Sequence, residues 1–200
     1  NRQIVEKLNL KIQKNTVCGL LGPNGAGKSS IFHSILGIVK PTFGKIFVDG
    51  VEVTNIPTHK RTSMCGISWC PQYGGAFADL SVFENLMAIA ELHIKDKEKR
   101  LSKINSLIRR FELENVVKLP SRILSGGQQR KLILAMALIK DTKILILDEP
   151  YSALDPVSVK MIQQLIVSLQ MFERISIVIS DHNFRDLLST VDYSMVLSEG

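Results

Sequence analysis

A glycine-rich stretch between an apolar run and a helical pattern constrains the fold of this chain more than any other feature. Residues 22–29 read GPNGAGKS and fit the pattern G-x-x-x-x-G-K-[ST]. They follow the apolar run 17–21 and precede helical spacing over 29–36, which Gly37 closes. Glycines have no Cβ atom, so the backbone N–H groups of such a loop converge on phosphate oxygens. The sequence therefore predicts a phosphate-binding loop between a buried strand and a helix.

Nine residues of this loop and its following helix are expected to bind ATP. The Lys28 ammonium supplies positive charge for the β- and γ-phosphates, and the Ser29 hydroxyl is suited to ligate Mg²⁺. A plain glycine turn is the structural alternative, but the position between a strand and a helix favours phosphate binding. The predicted ATP- and phosphate-binding residues are Gly22, Pro23, Asn24, Gly25, Ala26, Gly27, Lys28, Ser29 and Ser30.

Two carboxylates follow a run of aliphatic residues at 144–147. The run is typical of a strand covered on both faces, and ligands collect at the carboxyl ends of strands in open α/β sheets. Asp148 is expected to hold Mg²⁺, directly or through water, and Glu149 to polarise the attacking water. Taken alone, this pair fits a solvated strand end equally well. Together with Lys28, it indicates nucleotide hydrolysis.

A second anion-binding pattern, Ser-Gly-Gly-Gln at residues 125–128, opens an apolar helix that extends to about Ile139. Free N–H groups, a hydroxyl and the positive end of the helix dipole meet there. A single bound nucleotide does not require two such anion-binding sites from the same chain. We therefore expect a head-to-tail homodimer, with each ATP between the Lys28 loop of one subunit and the Ser125 loop of the other. An ordinary capped helix is the alternative for this segment alone.

Buried strands that alternate with helices predict an α/β fold with a mostly parallel central sheet. Residues 46–48, before the Asp49–Gly50 turn, predict an antiparallel β edge, and alternation over 8–12 predicts a further strand. Residues 81–140 are predicted to be a helical insertion in a single domain that spans 1–200. The other predicted strands are 17–21, 66–70, 144–147, 175–179 and 195–197, and a further helix is predicted over 156–171.

Composition excludes several classes of protein. The longest aliphatic run, at 132–139, has eight residues, whereas a membrane-spanning helix needs roughly 20. The three cysteines show no C-x-x-C spacing, which argues against a metal site or a disulfide framework. The net charge is +6, and residues 95–118 hold eight basic and four acidic side chains. Because the two signs interleave, a solvated helical face is favoured there over a nucleic-acid or lipid surface.

Taken together and in order, these motifs resemble those of the ATP-binding cassette (ABC) ATPases over essentially the whole chain. Residues 124–128 match the signature motif, which faces the nucleotide of the opposite subunit. Gln72 matches the glutamine that senses Mg²⁺ and the transmembrane partner, and residues 152–155 match a loop that crosses the dimer interface. His182 matches the switch histidine that contacts the γ-phosphate.

The resemblance implies a P-loop NTPase of the ABC type that binds ATP and Mg²⁺ and hydrolyses ATP as a dimer. It assigns catalysis to Glu149, His182 and Gln72, and Mg²⁺ coordination to Ser29, Gln72 and Asp148. The signature residues that act on the other subunit's nucleotide are Ser125, Gly126, Gly127 and Gln128, and the dimer-loop residues are Ser152 and Asp155.

Three segments are similar to the ATP-binding subunits that power lipopolysaccharide export in Gram-negative bacteria: residues 80–88, 155–159 and 180–183. Residues 128–131 and 151–154 depart from that subfamily. A branched-chain amino acid importer shares nearly every motif and is the alternative. A DNA-repair or chromosome-organising ATPase of the superfamily would need long coiled coils between the phosphate loop and the signature, where this sequence shows no sustained heptads. A nucleotide kinase of another class would need neither the Ser125 loop nor His182.

An ABC ATPase of this kind needs an integral-membrane partner, and the docking surface is expected at residues 73–83. Tyr73, Ala76, Phe77, Leu80 and Phe83 supply small and aromatic groups suited to receive a helix, although packing within the helical insertion is an equal alternative. The expected location is the cytoplasmic face of the inner membrane, with no nucleic-acid partner. Compared with the family pattern, an N-terminal aromatic loop and the turn after 198–200 are expected to be missing.

Overall fold

A five-stranded parallel sheet forms the centre of the computed structural model, which describes residues 5–197. Its strands have the spatial order β4-β5-β6-β1-β7. In the register, Val17 lies beside Ile177, and Asp148 lies beside Ser180. The strands of this sheet are β1 (Val17–Leu21), β4 (Ile67–Cys70), β5 (Ile144–Asp148), β6 (Ser176–Ser180) and β7 (Tyr193–Val196). The mostly parallel α/β sheet is therefore confirmed.

The antiparallel part of the fold is a separate two-stranded sheet, formed by β2 (Phe47–Val48) and β3 (Val51–Glu52). The turn between them consists of Asp49 and Gly50, with φ angles of 51° and 79°. Both residues therefore adopt the left-handed conformation that a two-residue hairpin turn of this type requires. This agrees with the turn predicted from the Asp-Gly pair.

Seven α-helices surround the sheets in the described part of the chain. Those between β4 and β5, together with two short 3₁₀ turns, make up the predicted helical insertion. Ser81 with Glu84 and Ser125 with Gln128 both form complete capping boxes. The helices are α1 (Lys28–Leu36), α2 (Thr58–Cys65), α3 (Val82–His93), α4 (Lys97–Arg110), α5 (Gly126–Ala137), α6 (Pro156–Glu173) and α7 (Phe184–Leu188).

Apolar packing covers both faces of the sheet. Every residue of β1 and β6 is buried, as expected for parallel strands covered on two sides. The larger core cluster joins one face of the sheet to α3, α4, α5 and α6, and the smaller cluster joins the other face to α1. The carboxyl ends of β5 and β6 and the loop after β1 are thereby held at one edge of the sheet, where the predicted site residues lie.

Besides helix α7 (Phe184–Leu188), which was not predicted, two features of the fold differ from the sequence-based expectations. No strand forms over residues 8–12, although Leu10 and Ile12 pack against the smaller core cluster. The alternation indicated one buried face, yet Leu8 is exposed, and a strand also requires a hydrogen-bonded neighbour. Helix α2 was not anticipated, because its residues are mostly polar and only Arg61 is buried.

Within residues 5–197, no helix combines the length and the apolar character needed to cross a membrane. The three cysteines, Cys18, Cys65 and Cys70, are free thiols. The turn considered at 198–200 lies outside the described residues.

Candidate functional site

The loop between β1 and α1 presents a row of backbone N–H groups. Gly25 and Gly27 have φ angles of 85° and 97°, which glycine adopts without steric cost. Gly27 caps α1 without a side-chain hydrogen bond, so the start of this helix is not covered by a capping side chain. The N–H groups of residues 27–30 donate to no other described residue. They are therefore available to an anion at the positive end of the helix dipole.

The ammonium group of Lys28 is held inside this loop. Its Nζ atom donates to the carbonyl oxygens of Gly22 at 2.7 Å and Pro23 at 3.0 Å. The side chain is buried, and it forms no ion pair with a described carboxylate. A buried positive charge with only neutral oxygen partners is well suited to attract phosphate oxygens.

Asp148 ends β5 and is fixed by two hydroxyl groups. Its Oδ2 atom accepts a hydrogen bond from Ser29 Oγ at 3.2 Å, and its Oδ1 atom accepts one from Ser180 Oγ at 2.5 Å. The first bond joins β5 to α1, and the second joins β5 to its neighbour β6. The structure thus brings the predicted Mg²⁺ ligands Ser29 and Asp148 together. Ser180 was missed by the sequence analysis, although its register beside Asp148 in the next strand would have identified it.

The donor set at Asp148 fits Mg²⁺. Hydroxyl and carboxylate oxygens are the hard ligands that this ion prefers, and Mg²⁺ in nucleotide sites takes one or two protein ligands with phosphate oxygens and water. Within the described chain, no cluster of three or more His, Cys, Asp or Glu side chains could hold a metal alone. A cation at Asp148 would therefore depend on the nucleotide for much of its coordination.

The three predicted catalytic residues meet at one atom. Gln72 Nε2 lies 2.5 Å from Glu149 Oε2, and His182 Nδ1 lies 3.2 Å from the same oxygen. Gln72 follows β4, Glu149 follows β5 and His182 follows β6, so the parallel sheet brings them to one edge. The backbone of Glu149 is left-handed, with a φ angle of 48°, and its N–H group donates to the Ser180 carbonyl at 2.7 Å.

Two buried residues beside these side chains were not anticipated. Asp181 accepts hydrogen bonds from the N–H groups of Tyr151 at 3.1 Å and Asn183 at 2.9 Å, and burial raises the pKa of its carboxyl group. Arg130, in α5, donates to the carbonyl oxygens of Pro71 and Glu149. The sequence pattern assigned no role to Arg130, because both of its partners are backbone atoms distant in sequence.

The predicted signature residues lie at the start of α5. Ser125 Oγ accepts from the Gln128 N–H group at 3.3 Å, and the Gln128 side chain accepts from the Ser125 N–H group at 3.0 Å. Ser125 and Gly126 are exposed. No hydrogen bond joins residues 125–128 to residues 22–30 of the same described chain. The segment thus faces outward and does not complete its own chain's phosphate loop.

The predicted dimer loop continues directly from Glu149. The Ser152 N–H group donates to the Glu149 carbonyl at 3.2 Å, and exposed Asp155 caps α6 by accepting from the N–H groups of Val157 and Ser158 at 3.0 Å each. The Ser158 hydroxyl also donates to Asp155, at 2.5 Å. These hydrogen bonds, above all that from the Ser158 hydroxyl, lower the pKa of the Asp155 carboxyl group.

Residues 73–83 divide into two groups in the structure. Tyr73 and Phe77 are exposed, by 79% and 51%. Ala76 and Phe83 instead pack against the larger core cluster, and Leu80 is half-buried. A groove of about 260 Å³ lies beside this segment. It is lined by Gly75, Trp69, Ile89, His93 and Ile133 among others.

Comparison with known proteins identifies close counterparts of this chain. A family model described as "ABC transporter" matches residues 5–152. An uncharacterized ABC transporter ATP-binding protein of Rhizobium meliloti is 36% identical to the whole chain, which covers 73% of that protein. The lipopolysaccharide export system ATP-binding protein LptB is also 36% identical to the whole chain in Haemophilus influenzae and Escherichia coli. The chain covers 83% and 82% of those proteins.

Two solved structures with a similar fold are also ATP-binding cassette proteins. A dimeric ATP-binding cassette, MJ0796, bound to ADP and Pi, superposes with a TM-score of 0.85 and is 25% identical, covering 96% of this chain and 85% of that one. The protein cbiO1 of Clostridium perfringens, part of the ABC transporter complex cbiONQ, gives a TM-score of 0.88 at 29% identity. That superposition covers 98% of this chain and 79% of cbiO1.

Proposed function

The chain belongs to the ABC transporter family of ATP-binding proteins, and on this premise we propose that it powers lipopolysaccharide export by hydrolysing ATP in a head-to-tail dimer. The observation that carries the hydrolytic part is the meeting of Gln72, Glu149 and His182 at a single carboxylate oxygen. The export role is supported by the full-length similarity to LptB proteins and by the resemblances at residues 80–88, 155–159 and 180–183.

Glu149 is the proposed group that polarises the attacking water. Its Oε2 atom faces the Gln72 amide and the His182 ring, so both partners hold the carboxylate in one orientation. A positioned carboxylate can accept the proton of a water molecule as that water attacks phosphorus. His182 is 54% exposed, which leaves its ring accessible to a γ-phosphate. Gln72 is proposed to sense whether Mg²⁺ and the membrane partner are bound.

The phosphate chain is proposed to lie on residues 22–30. Lys28 and the free N–H groups at the start of α1 offset its negative charge without a large rearrangement of the loop. Ser29 and Asp148, which are hydrogen-bonded to each other, would hold Mg²⁺, which neutralises charge on the β- and γ-phosphates when it is bound. Gln72 is proposed as a further ligand from the family resemblance alone, since its side chain contacts Glu149. The residues of one chain would therefore orient the nucleotide from one side only.

The second side of each ATP is proposed to come from the partner subunit. The exposed start of α5, with Ser125, Gly126, Gly127 and Gln128, offers a hydroxyl, free N–H groups and a helix dipole to the partner's γ-phosphate. Ser152 and Asp155 follow Glu149 directly and are proposed to cross the dimer interface. ATP binding would close the dimer, and hydrolysis would let it open.

A membrane partner is proposed to dock at residues 73–83. Gly75, which lies between exposed Tyr73 and Phe77 in the sequence, lines the groove together with Trp69 and Ile133. A helix from a membrane subunit would fit such an apolar surface. This segment begins one residue after Gln72, so motion of a docked helix would reach the hydrolytic site. The proposed location is the cytoplasmic face of the inner membrane.

The hydrolytic part is tested with Glu149→Gln. The variant should bind ATP as the wild type does, lose turnover, and elute from gel filtration as a dimer only when ATP is present. An unchanged rate of hydrolysis would remove Glu149 from the proposed role. A monomeric elution volume with saturating ATP would contradict the head-to-tail dimer.

The export part is tested on the complex purified with its native membrane subunits. In lipid vesicles, lipopolysaccharide should stimulate ATP hydrolysis, while leucine with a periplasmic binding protein should not. Stimulation by leucine alone would favour an importer. Mass spectrometry of the copurified subunits provides an independent identification.

A further inference from the structure

We propose that Arg130 is a positioning residue that fixes the relative placement of Gln72 and Glu149 and couples it to the signature helix α5. The inference rests on the proposed function, since it assumes that Gln72 and Glu149 act together on ATP. Arg130 does not touch the nucleotide in this scheme. It acts through the backbone of the two segments that carry the reacting side chains.

The contacts of Arg130 connect the two strands that carry those side chains. The terminal nitrogen Nη1 donates to the Pro71 carbonyl at 3.1 Å, and Nη2 donates to the Glu149 carbonyl at 3.3 Å. Pro71 immediately precedes Gln72, whose side chain lies 2.5 Å from Glu149 Oε2. Because the guanidinium group is a rigid planar fork, it sets the distance between the carbonyls that it joins.

The Glu149 carbonyl accepts two hydrogen bonds from different segments of the chain. It accepts from Arg130 and also from the Ser152 N–H group, at 3.2 Å, which begins the dimer loop. The backbone of Glu149 is in the left-handed region, a conformation that the surrounding contacts must hold in a residue with a side chain. A shift of the guanidinium group would therefore change the direction of the Glu149 carboxylate.

Arg130 is a buried arginine whose charge has no carboxylate partner within residues 5–197. The side chain is buried with 7% exposure, and among the described residues it forms no ion pair. Burial lowers its pKa, while Cys70, Asp181 and Asp148 nearby act in the opposite direction. A buried cation bound only by carbonyl groups costs free energy, which an apolar residue at this position would avoid. This cost favours a role in the site over one in packing alone.

Arg130 also belongs to the helix that begins with the signature residues. It lies in the second turn of α5, whose first residue is Gly126 and whose cap is Ser125. A displacement of this helix when Ser125 engages the partner's ATP would move the guanidinium group, and with it the Pro71 and Glu149 carbonyls. Each chain would thus adjust its own hydrolytic pair when it serves the partner's nucleotide.

Lys131, the next residue of the same helix, provides a matched control. It is a buried cation as well, but its Nζ atom pairs with exposed Glu112 at 2.7 Å, in the helical insertion and away from Glu149. Replacing Lys131 therefore removes a buried charge from α5 without touching the carbonyls of Pro71 or Glu149.

The test compares Arg130→Met, Arg130→Lys and Lys131→Met in the full-length protein. Arg130→Met should lower kcat by about tenfold or more while the KM for ATP changes by less than about threefold, because binding groups stay in place and orientation is lost. Arg130→Lys should lie between the wild type and Arg130→Met, since one ammonium cannot span both carbonyls in the same geometry. Lys131→Met should keep kcat within about twofold. Thermal unfolding of each variant separates these effects from a loss of fold.

Chemical rescue gives a second readout. Guanidinium chloride at a non-denaturing concentration should raise the kcat of Arg130→Ala and leave that of Lys131→Ala unchanged. The inference is overturned if Arg130→Lys has wild-type kcat, if Arg130→Met and Lys131→Met lower kcat equally, or if guanidinium rescues neither variant. Loss of turnover in Glu149→Gln in the same assay keeps the proposed function in place whichever result is obtained.

Discussion

Gly127 approaches Ser158 so closely that a Cβ atom on Gly127 would lie 2.6 Å from the Ser158 Oγ atom. That hydroxyl donates to Asp155 at 2.5 Å, so the glycine of the signature segment leaves room for the cap of the dimer loop in the same chain. The two segments proposed to meet the partner subunit are therefore packed against each other before any partner is present.

Gly127→Ala should impair ATP-dependent dimerisation. The added methyl group displaces the Ser158 hydroxyl from Asp155 and misplaces the dimer loop, at a cost on the order of 1–3 kcal/mol in stability. Gel filtration with ATP in a Glu149→Gln background measures the dimer fraction. Adding Ser158→Gly should restore part of that fraction, with Ser158→Gly alone as the control. A double variant no better than Gly127→Ala would show that the Ser158 contact is not the cause.

Ser180→Ala should weaken the response to Mg²⁺ more than the binding of ATP. The substitution removes the hydroxyl that donates to Asp148 Oδ1 at 2.5 Å and leaves the phosphate loop intact. We expect the Mg²⁺ concentration for half-maximal hydrolysis to rise by about tenfold. Ser194→Ala, an exposed serine of β7, is the control. Equal Mg²⁺ dependence in the two variants would contradict the assignment of Asp148 to the metal.

The capping of α6 by Asp155 should fail in acid. Hydrogen bonding holds the pKa of Asp155 below its usual value of 3.8, so its contribution to stability is fully present above that value and is lost as the pH falls through the lowered pKa. Titration of the carboxyl carbon by NMR measures this pKa directly. In Ser158→Ala the pKa should rise, because the hydroxyl is the largest cause of the shift. An unchanged value would rule out the Ser158 hydrogen bond as that cause.

Arg61→Met should destabilise the fold without a direct effect on the site. The buried guanidinium donates to four carbonyl groups, those of Ile56, Ser34, Ile35 and Thr54. Leaving these acceptors unpaired should lower the free energy of unfolding by about 2–4 kcal/mol, as measured by urea denaturation. Arg122→Met, at an exposed arginine that pairs with Asp79, should change it by less than about 0.5 kcal/mol. Similar losses in both variants would contradict this account.

The strand pattern alone predicted Asp148 and Glu149 as candidate site residues, whereas Gln72 and His182 were predicted from the resemblance to the ABC ATPases. Gln72, Asp148, Glu149 and His182 each lie just beyond an apolar run, and parallel strands must bring their carboxyl ends to one edge. The convergence of Gln72 and His182 on Glu149 follows from that topology. The capping boxes at Ser81 and Ser125 were likewise predictable, because they depend only on residues three positions apart.

Other features depend on pairings that a local pattern does not record. Arg130 binds backbone carbonyls distant in sequence, and Arg61 binds two distant carbonyls, those of Ser34 and Ile35, besides two nearby ones; backbone carbonyls carry no side-chain signal. Ser180 could be identified only once β5 and β6 were known to be neighbours. The alternation at 8–12 was misleading because a single chain segment does not show whether a hydrogen-bonded neighbour exists.

The Lys28 ammonium is anchored by carbonyl oxygens of its own loop. In the proposed ATP complex, this group would exchange its carbonyl ligands for phosphate oxygens, and a side chain already held by two hydrogen bonds would lose little rotational entropy. The entropy lost in ordering the Lys28 side chain is thereby lost once, when the polypeptide folds, and not again in every catalytic cycle. Under the proposed function, more of the binding energy of ATP would then be left to drive the closure of the dimer.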